Sequence, residues 1–378
     1  MAISMQMITR GWLILRLTDD SPLALSLVMM SFALPMTVVS PFGGALADRF
    51  SRRKIILLTQ SVNAIMTLIL ATLDMSGLIR FWHLIVTGVA NGTMASLNMP
   101  SRQSIVSDMV PTDDLMNAIS LNSSGMNITR IAGPALAGVL IVFLDTAGVL
   151  YLIALAYAIA VLFTAFIGEG KKGERKKGRG MVTDIFEGVN YAKADPTLLG
   201  LLIMFFVPSL FGFPYVALLP AWAREVLNAG SDGLGLLMMC MGIGSLIGSL
   251  VLASLGKLRK RGFVIMAGGL VWGILLAVFS QCISYPSALS VVFLLGFISA
   301  FFMALNMSLL QYYASESMRG RVTSLAMMTF GIMPLSAVPF GAVAESIGTD
   351  SSLMIAGVLL CLFAILFYFA YPKFRNVS

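Results

Sequence analysis

The chain has 378 residues, of which 58% are hydrophobic and only 11% are charged, and its mean hydropathy is +0.91. Soluble domains average about 45–50% apolar and about 25% charged residues, so 25 basic and 18 acidic side chains are too few to cover a water-facing surface. The composition excludes a soluble enzyme with a single anchor and predicts an all-α membrane protein, because the apolar runs are continuous and do not alternate as barrel strands do.

Twelve apolar runs follow one another along the chain, and each predicts a membrane-spanning helix. A spanning helix needs about 20 apolar residues. The first run is doubtful because it includes the polar residues Ser4, Gln6, Thr9 and Arg10. The runs lie at 1–17, 23–46, 55–73, 81–99, 117–143, 149–167, 197–222, 234–255, 262–280, 286–310, 318–343 and 353–371.

The basic residues between the runs predict how the chain is oriented. One alternating set of connections holds 20 of the 25 lysines and arginines, whereas the opposite set holds only Arg80 and Arg224. Cytoplasmic loops carry such an excess of basic residues. We therefore expect a multi-pass protein of the cytoplasmic membrane with its C-terminus in the cytoplasm.

The connection after the second run reads GGALADRFSRRK, residues 43–54. It resembles the signature loop of the major facilitator superfamily, although Ser51 stands where that family has a glycine. The resemblance implies that Asp48 pairs with nearby arginines and with the positive end of the eleventh helix, which latches the cytoplasmic side shut in one state. A basic topology signal without a latch is the alternative. The predicted latch residues are Gly44, Asp48, Arg49, Arg52, Arg102, Arg319 and Arg321.

The fourth run departs from the superfamily pattern at the stretch GVANG. Exporters of that superfamily often place an arginine three residues before a Gln-Gly pair. Here Gly88 takes the place of the arginine and Asn91 that of the glutamine. The proton relay that the resemblance would imply is therefore in doubt.

Polar residues follow one face of the fifth predicted helix. Ser120, Ser124, Asn127, Arg130 and Pro134 recur at spacings of three or four residues. Arg130 lies about 20 Å into this helix, where an arginine costs at least about 2.5 kcal/mol unless it faces water or a partner. We expect it to line a substrate cavity; an interhelical hydrogen bond is the alternative. The candidate substrate-binding residues are Arg130, Asn127, Asn91, Tyr215 and Asn306.

Small residues follow in the same helix, in the stretch GPALAG at residues 133–138. This stretch resembles the antiporter motif of the superfamily, and its glycines permit close approach of a neighbouring helix. We expect a packed hinge in which the eighth run offers a complementary face; ordinary small-residue packing is the alternative. The predicted hinge residues are Gly133, Pro134, Gly138, Gly244 and Gly248.

The longest interruption, residues 168–196, divides the chain into six runs and six runs. Its core, GEGKKGERKKGRG, is typical of a solvated linker near anionic headgroups, and a specific lipid or nucleic-acid site is the alternative. Residues 181–194 predict a helix along the inner membrane surface. The connection after the eighth run, GSLVLASLGKLRKR, echoes the one after the second. We predict two six-helix bundles, 1–167 and 197–378, as in a parallel-repeat secondary transporter.

Three longer segments, residues 97–140, 214–250 and 315–328, resemble the branch of the superfamily that contains the enterobactin exporter and related drug-efflux proteins. The resemblance implies a major facilitator fold and a monomer that exports a siderophore-like or drug-like molecule by alternating access, with the proton as coupling ion. Because Arg130 and Arg10 lie within runs, we expect an electropositive cavity and an anionic substrate. A lysophospholipid transporter and a transport-inactive sensor or scaffold are the alternatives.

The sequence contains neither a Walker-type phosphate loop nor a catalytic constellation, so we expect no enzymatic activity, cofactor, metal or nucleic-acid partner. Cys240, Cys282 and Cys361 are expected to be small buried hydrophobes, and His83 an interfacial residue.

All 18 acidic residues are placed toward the helix ends, although a proton antiporter normally needs a protonatable carboxylate within the membrane. One hypothesis is that the chain begins inside its first helix and that the coupling carboxylate belongs to an absent part.

Overall fold

The computed structural model is built of α-helices. It describes residues 1–49, 51–111, 114–167, 181–255 and 260–376, and some side chains within these ranges, those of 40–49 among them, lie outside the description. The described part contains thirteen α-helices and no strand. They are α1 (Ala2–Leu17), α2 (Pro22–Arg49), α3 (Arg52–Met75), α4 (Phe81–Met109), α5 (Leu115–Ala165), α6 (Met181–Ala194), α7 (Pro196–Gly212), α8 (Pro214–Leu227), α9 (Ser231–Ser254), α10 (Arg261–Ser280), α11 (Tyr285–Tyr313), α12 (Glu316–Ile347) and α13 (Thr349–Ala370), followed by a 3₁₀ turn at Pro372–Asn376.

The helices account for all twelve predicted runs. The fifth and sixth runs share α5, which is kinked at Asp145, where φ is 56°. The seventh run is divided between α7 and α8, and α6 lies in the predicted linker. Eight stretches of the described residues are long and apolar enough to cross a membrane. The prediction of an all-α, multi-pass membrane protein is confirmed.

The chain divides into two compact units. The first comprises Met1–Lys177 with Ala229–Leu236, and the second comprises Gly178–Asn228 with Leu237–Ser378. The division falls within the predicted linker. However, α6 belongs to the second unit and the first turns of α9 belong to the first, so the sequence boundaries at 167 and 197 do not coincide with those of the two units.

In the first unit, α2 and α4 pack closely through glycines. A Cβ atom added to Gly92 would lie 1.9 Å from the carbonyl oxygen of Phe32, and one added to Gly88 would lie 2.1 Å from the hydroxyl of Ser31. Both distances are far below van der Waals contact. At Gly92 the obstacle is backbone, whereas an arginine at position 88 would first have to displace the hydroxyl of Ser31, which gives a physical reason for the departure seen in the fourth run.

In the second unit, α9 and α11 pack in a similar way. Cβ atoms added to Gly244 and Gly248 would lie 2.1 and 2.3 Å from the carbonyl oxygens of Phe293 and Phe297. From α11, Gly296 approaches the backbone of α9 equally closely. The closest neighbours of Gly244 and Gly248 thus belong to α11, and a hinge between these glycines and the fifth helix stays a prediction.

The helix in the predicted linker, α6, packs against α7 and α12. The carboxylate of Glu187 lies 2.7 Å from the guanidinium of Arg321 on α12. The backbone N–H of Ser315 donates to the hydroxyl of Tyr191 at 3.2 Å, and hydrogen bonds with Ser315 lower the pKa of Tyr191 from its ordinary value. The predicted helix at 181–194 is therefore present and is held to the second unit by polar contacts.

Candidate functional site in the first unit

A chain of buried polar side chains connects α1, α3 and the second half of α5. The amide nitrogen of Gln6 donates to the hydroxyl of Thr67 at 3.1 Å, and the hydroxyl of Tyr157 donates to the amide oxygen of Gln6 at 3.3 Å. Thr67 donates in turn to the carbonyl oxygen of Asn63 at 2.7 Å. Polar groups buried in an apolar bundle cost free energy unless they are paired, so these bonds fix the three helices in register.

Arg10 lies one helical turn after Gln6, on the same face of α1. The residue is only 8% exposed, and its Nε and Nη2 atoms have no hydrogen-bond partner among the described residues. Tyr157 is close enough to interact with it electrostatically. A buried guanidinium with unsatisfied donors is costly, and an anionic ligand group would supply the missing acceptors.

A second cluster lies at the outer end of the first unit, the end that the basic residues predict to face away from the cytoplasm. Arg16 forms an ion pair with Asp74 and another with Asp145, whose Oδ1 lies 3.1 Å away. Thr146 donates its hydroxyl to Asp74 as well. The Asp74 side chain is 1% exposed, whereas that of Asp145 is 69% exposed. The cluster therefore contains one buried carboxylate between an arginine and a hydroxyl.

The kink of α5 places Asp145 in this cluster. Its positive φ is a conformation that aspartate tolerates better than most residues, and its carboxylate accepts from the backbone N–H of Thr146 at 2.6 Å. The kink thus begins the second half of α5 beside Asp74. Arg16 lies about 9 Å from Arg10 along α1, so the two clusters are separate sites on one helix.

Two of the predicted cavity residues, Arg130 and Asn127, are exposed on α5. Arg130 lies about 22 Å from the start of that helix, where an exposed cation favours a water-filled cavity over lipid. On α4, Asn91 is buried and its Oδ1 atom has no partner among the described residues. Substrate binding by these three residues stays a prediction.

The other two cavity candidates belong to the second unit, and both are buried. The Tyr215 hydroxyl contacts the Met241 sulfur at 3.3 Å. In the amide orientation that satisfies both of its polar atoms, Asn306 donates to the Leu201 carbonyl at 3.2 Å and accepts from the Phe205 N–H at 3.3 Å. Their polar groups hold helices together here, and binding by Tyr215 or Asn306 stays a prediction.

The predicted latch can be followed only in part. The surroundings of Gly44 and the side chains of Asp48 and Arg49 lie outside the described part, although the backbone of all three residues is helical. Arg52 is half-buried and Arg102 is exposed. Two further latch candidates have contacts within the second unit: Arg319 donates to the carbonyl oxygen of Gln311 at 2.9 Å, and Arg321 pairs with Glu187. The latch itself stays a prediction.

The predicted hinge packs against two helices of the first unit. A Cβ atom on Gly133 would lie 2.7 Å from the Cβ of Ser4, so Gly133 faces α1. Ser231 donates its hydroxyl to the carbonyl oxygen of Gly138 at 3.1 Å. An added Cβ on Gly235 would lie 2.9 Å from the carbonyl oxygen of Pro134. The start of α9 thus supplies a small face to this stretch of α5, and the hinge itself stays a prediction.

The pairing of Arg16 with Asp74 is missed by the sequence analysis. Arg16 lies inside the first run, and Asp74 directly follows the third. The pair becomes visible only when α1 and α3 are known to be neighbours.

His83 has a structural role, since its Nδ1 accepts from the backbone N–H of Arg80 at 2.9 Å and caps α4.

Comparisons with known proteins agree with this architecture. The family model described as transmembrane secretion effector matches residues 1–377. The staphyloferrin A transporter of Staphylococcus aureus is 26% identical over 97% of this chain and 91% of its own length. The macrolide efflux protein A of Streptococcus pyogenes is 23% identical over 93% and 89%, and the enterobactin exporter of Shigella flexneri is 26% identical over 75% and 67%.

A solved structure shows the same fold. A bacterial homologue of the human lysosomal transporter Spinster superposes with a TM-score of 0.77. The alignment covers 100% of this chain and 97% of that one, at 13% sequence identity. At that identity the similarity establishes the major facilitator fold and nothing about the substrate.

Proposed function

Because the chain belongs to the transmembrane secretion effector family of the major facilitator superfamily, we propose that it exports a small organic anion from the cytoplasm by alternating access. Its relatives are transporters and not enzymes. The names of three of them, a staphyloferrin A transporter, an enterobactin exporter and a macrolide efflux protein, support a siderophore-like or drug-like substrate.

The observation that carries the choice of an anion is Arg10. It is a buried cation with two unsatisfied nitrogen atoms among the described residues, and it lies beside the polar chain of Gln6 and Tyr157. A purely structural arginine would be expected to be fully paired in so apolar a bundle. A carboxylate, catecholate or phosphate group of a substrate would complete its hydrogen bonds.

Substitution of Arg10 tests this proposal. Arg10→Gln removes the charge and should weaken binding of an anionic substrate about ten- to a hundredfold, the usual cost of a lost charged hydrogen bond. Arg10→Lys keeps the charge and should retain part of the affinity. Binding of candidate anions by the purified protein, such as a catecholate siderophore, would be measured by isothermal calorimetry.

Thermal stability separates a binding role from a structural one. Because the substrate-free protein buries an incompletely paired charge, Arg10→Gln should leave its melting temperature unchanged or raised. A loss of stability with unchanged affinity for every anion tried would show that Arg10 only supports the fold, and would overturn the assignment.

We further propose that the proton is the coupling ion and that Asp74 carries it. Asp74 is a carboxylate whose side chain is almost completely buried, and its partner Arg16 also forms an ion pair with Asp145. Protonation of Asp74 would weaken its ion pair with Arg16 and so loosen the contact between α1 and α3. The two acceptors of Arg16 lie on different helices, which suits a contact that changes partner during transport.

A further inference from the structure

A cavity of about 440 Å³ lies in the second unit, among the end of α9, the start of α10 and the end of α11. These are the helix ends that the basic residues predict to face the cytoplasm. The cavity does not involve Arg10 or Asp74, which belong to the first unit. Its lining includes Ser249, Leu252, Arg261, Leu305, Ser308 and Tyr312.

The chemistry of the cavity is that of an amphipathic anion site. The guanidinium carbon of Arg261 lies 5.7 Å from the ring centroid of Tyr312, and Arg261 is the first residue of α10, where free backbone N–H groups also favour an anion. The hydroxyls of Ser249 and Ser308 already donate to carbonyl oxygens of their own helices. Among the lining residues, Arg261 and the Tyr312 hydroxyl therefore offer the principal donors.

The position of the cavity identifies the source of the anion. Leu305 and Leu309 form a buried apolar wall, while Ser308 and Tyr312 are exposed, so the cavity combines an apolar wall with an open polar rim. The sequence just before α10 contains three further basic residues, Lys257, Arg259 and Lys260. Basic clusters directly beside the cytoplasmic end of a membrane helix attract anionic lipid headgroups.

We propose that this cavity binds an anionic phospholipid of the cytoplasmic leaflet. The phosphate accepts hydrogen bonds from Arg261 and from the start of α10, and the acyl chains follow the apolar surfaces of α9 and α11. The volume lies within the range of about 300–1,000 Å³ that is usual for small-molecule sites. None of the proposed transport residues Arg10, Asp74 and Arg130 lines this site, and the proposal does not depend on the proposed function.

Lipid binding by the purified full chain tests this proposal. Retention of dioleoyl phosphatidylglycerol would be compared by native mass spectrometry with that of phosphatidylcholine with the same acyl chains. Arg261→Gln should weaken phosphatidylglycerol binding about five- to tenfold, the effect of one basic residue near a headgroup. Ala304 also lines the cavity. Ala304→Phe, which fills the cavity without changing its charge, should weaken phosphatidylglycerol binding as well.

Arg375→Gln is the matched control. Arg375 also lies over a tyrosine ring, with its guanidinium carbon 3.8 Å from the Tyr368 centroid, but it does not line the cavity. Its substitution should change phosphatidylglycerol binding less than twofold. Equal retention of the two lipids, or equal losses with Arg261→Gln and Arg375→Gln, would overturn the proposal. Arg261-dependent binding of glycerol 3-phosphate as tight as that of the lipid would also overturn it, because the site would then take a soluble anion.

Discussion

The two carboxylates that share Arg16 differ in one respect that decides their roles. Both lie at the outer end of the first unit, but Asp74 is buried and Asp145 is exposed. Water screens a charge on the exposed group, so its pairing contributes little. A change of charge on the buried carboxylate of Asp74 is not screened by water, so it directly alters the ion pair with Arg16. Of the two carboxylates, Asp74 is therefore the one that we propose as the coupling group.

Asp74→Asn should abolish the dependence of transport on an imposed proton gradient, because the amide cannot take up a proton. We expect at least a tenfold loss of gradient-driven transport in reconstituted vesicles. Asp145→Asn removes the same charge from the same arginine and serves as control, with an expected change of less than threefold. Full gradient-driven transport by Asp74→Asn would exclude Asp74 as the coupling group.

Arg130 offers an independent test of the substrate route at the residue scale. Because it is exposed on α5 and lies far from the helix ends, Arg130→Ala should reduce transport about tenfold or more while membrane expression remains intact. The measurement is initial transport rate per molecule in vesicles containing purified protein. An unchanged rate would remove Arg130 from the mechanism.

Single residues show where the sequence is informative. Arg10, Asn127 and Arg130 could be singled out because a polar side chain in an apolar run requires a reason. The partners of Arg16, Asp74 and Asp145, could not be predicted from the sequence, since they depend on which helices are neighbours. Gly88 was noticed as a departure from a family pattern, but its reason, the contact with Ser31, is purely three-dimensional.

At the scale of helices, close glycine contacts carry much of the packing. Without a hydrophobic driving force between helices inside lipid, association depends on van der Waals contact and close backbone approach. Gly138 and Gly235 bring α5 and the start of α9 together in this way. We therefore expect the packing at these positions to be intolerant of even one methyl group.

Gly138→Ala should destabilise the protein by about 1–3 kcal/mol, the usual cost of overpacking, because the new Cβ would lie 2.4 Å from the carbonyl oxygen of Ser231. Gly125→Ala, in the same helix, has no atom within 4 Å of its Cβ and should be neutral or stabilising by up to about 1 kcal/mol. Thermal unfolding in detergent compares the two. Equal stabilities would show that the α5–α9 contact can relax.

Helix positions were predictable because twelve continuous apolar runs leave few alternatives in a membrane. The helix at 181–194 was also predictable, because apolar residues recur there at the spacing of an amphipathic helix. Its attachment through Glu187 and Tyr191 was not expected, since a charge such as that of Glu187 is equally compatible with solvent. The close approach of Gly244 and Gly248 to α11 could not be predicted, because two glycines fit any small neighbouring face.

At the scale of the whole molecule, the two halves repeat one packing device. In the first half the second and fourth predicted helices meet through Gly88 and Gly92, and in the second half the corresponding helices meet through Gly244, Gly248 and Gly296. The sequence pattern of small residues leading into a basic cluster, at residues 43–54 and again around the end of α9, repeats as well. Both features are those expected of parallel repeats in a transporter.

The distribution of basic residues makes a prediction about the entire chain. After the three native cysteines are replaced, a single cysteine at Arg179 in the linker or at the C-terminal residue Ser378 should be protected from a membrane-impermeant thiol reagent in intact cells. One at Ser76 should react. These positions lie on opposite sides according to the excess of lysine and arginine. Labelling of Arg179→Cys from outside would reverse the predicted orientation.

We propose that this protein exports a small organic anion and uses a proton gradient to do so. Vesicles with the purified chain inserted inside-out and an acidified lumen test it most directly, with a catecholate siderophore as the first labelled probe and a macrolide and a lysophospholipid as comparisons. The proposal predicts that the anionic probe accumulates, that dissipating the gradient stops accumulation, and that Arg10→Gln lowers it at least tenfold. Accumulation that is unaffected by both the gradient and Arg10→Gln, or preferential accumulation of an uncharged or cationic probe, would contradict it.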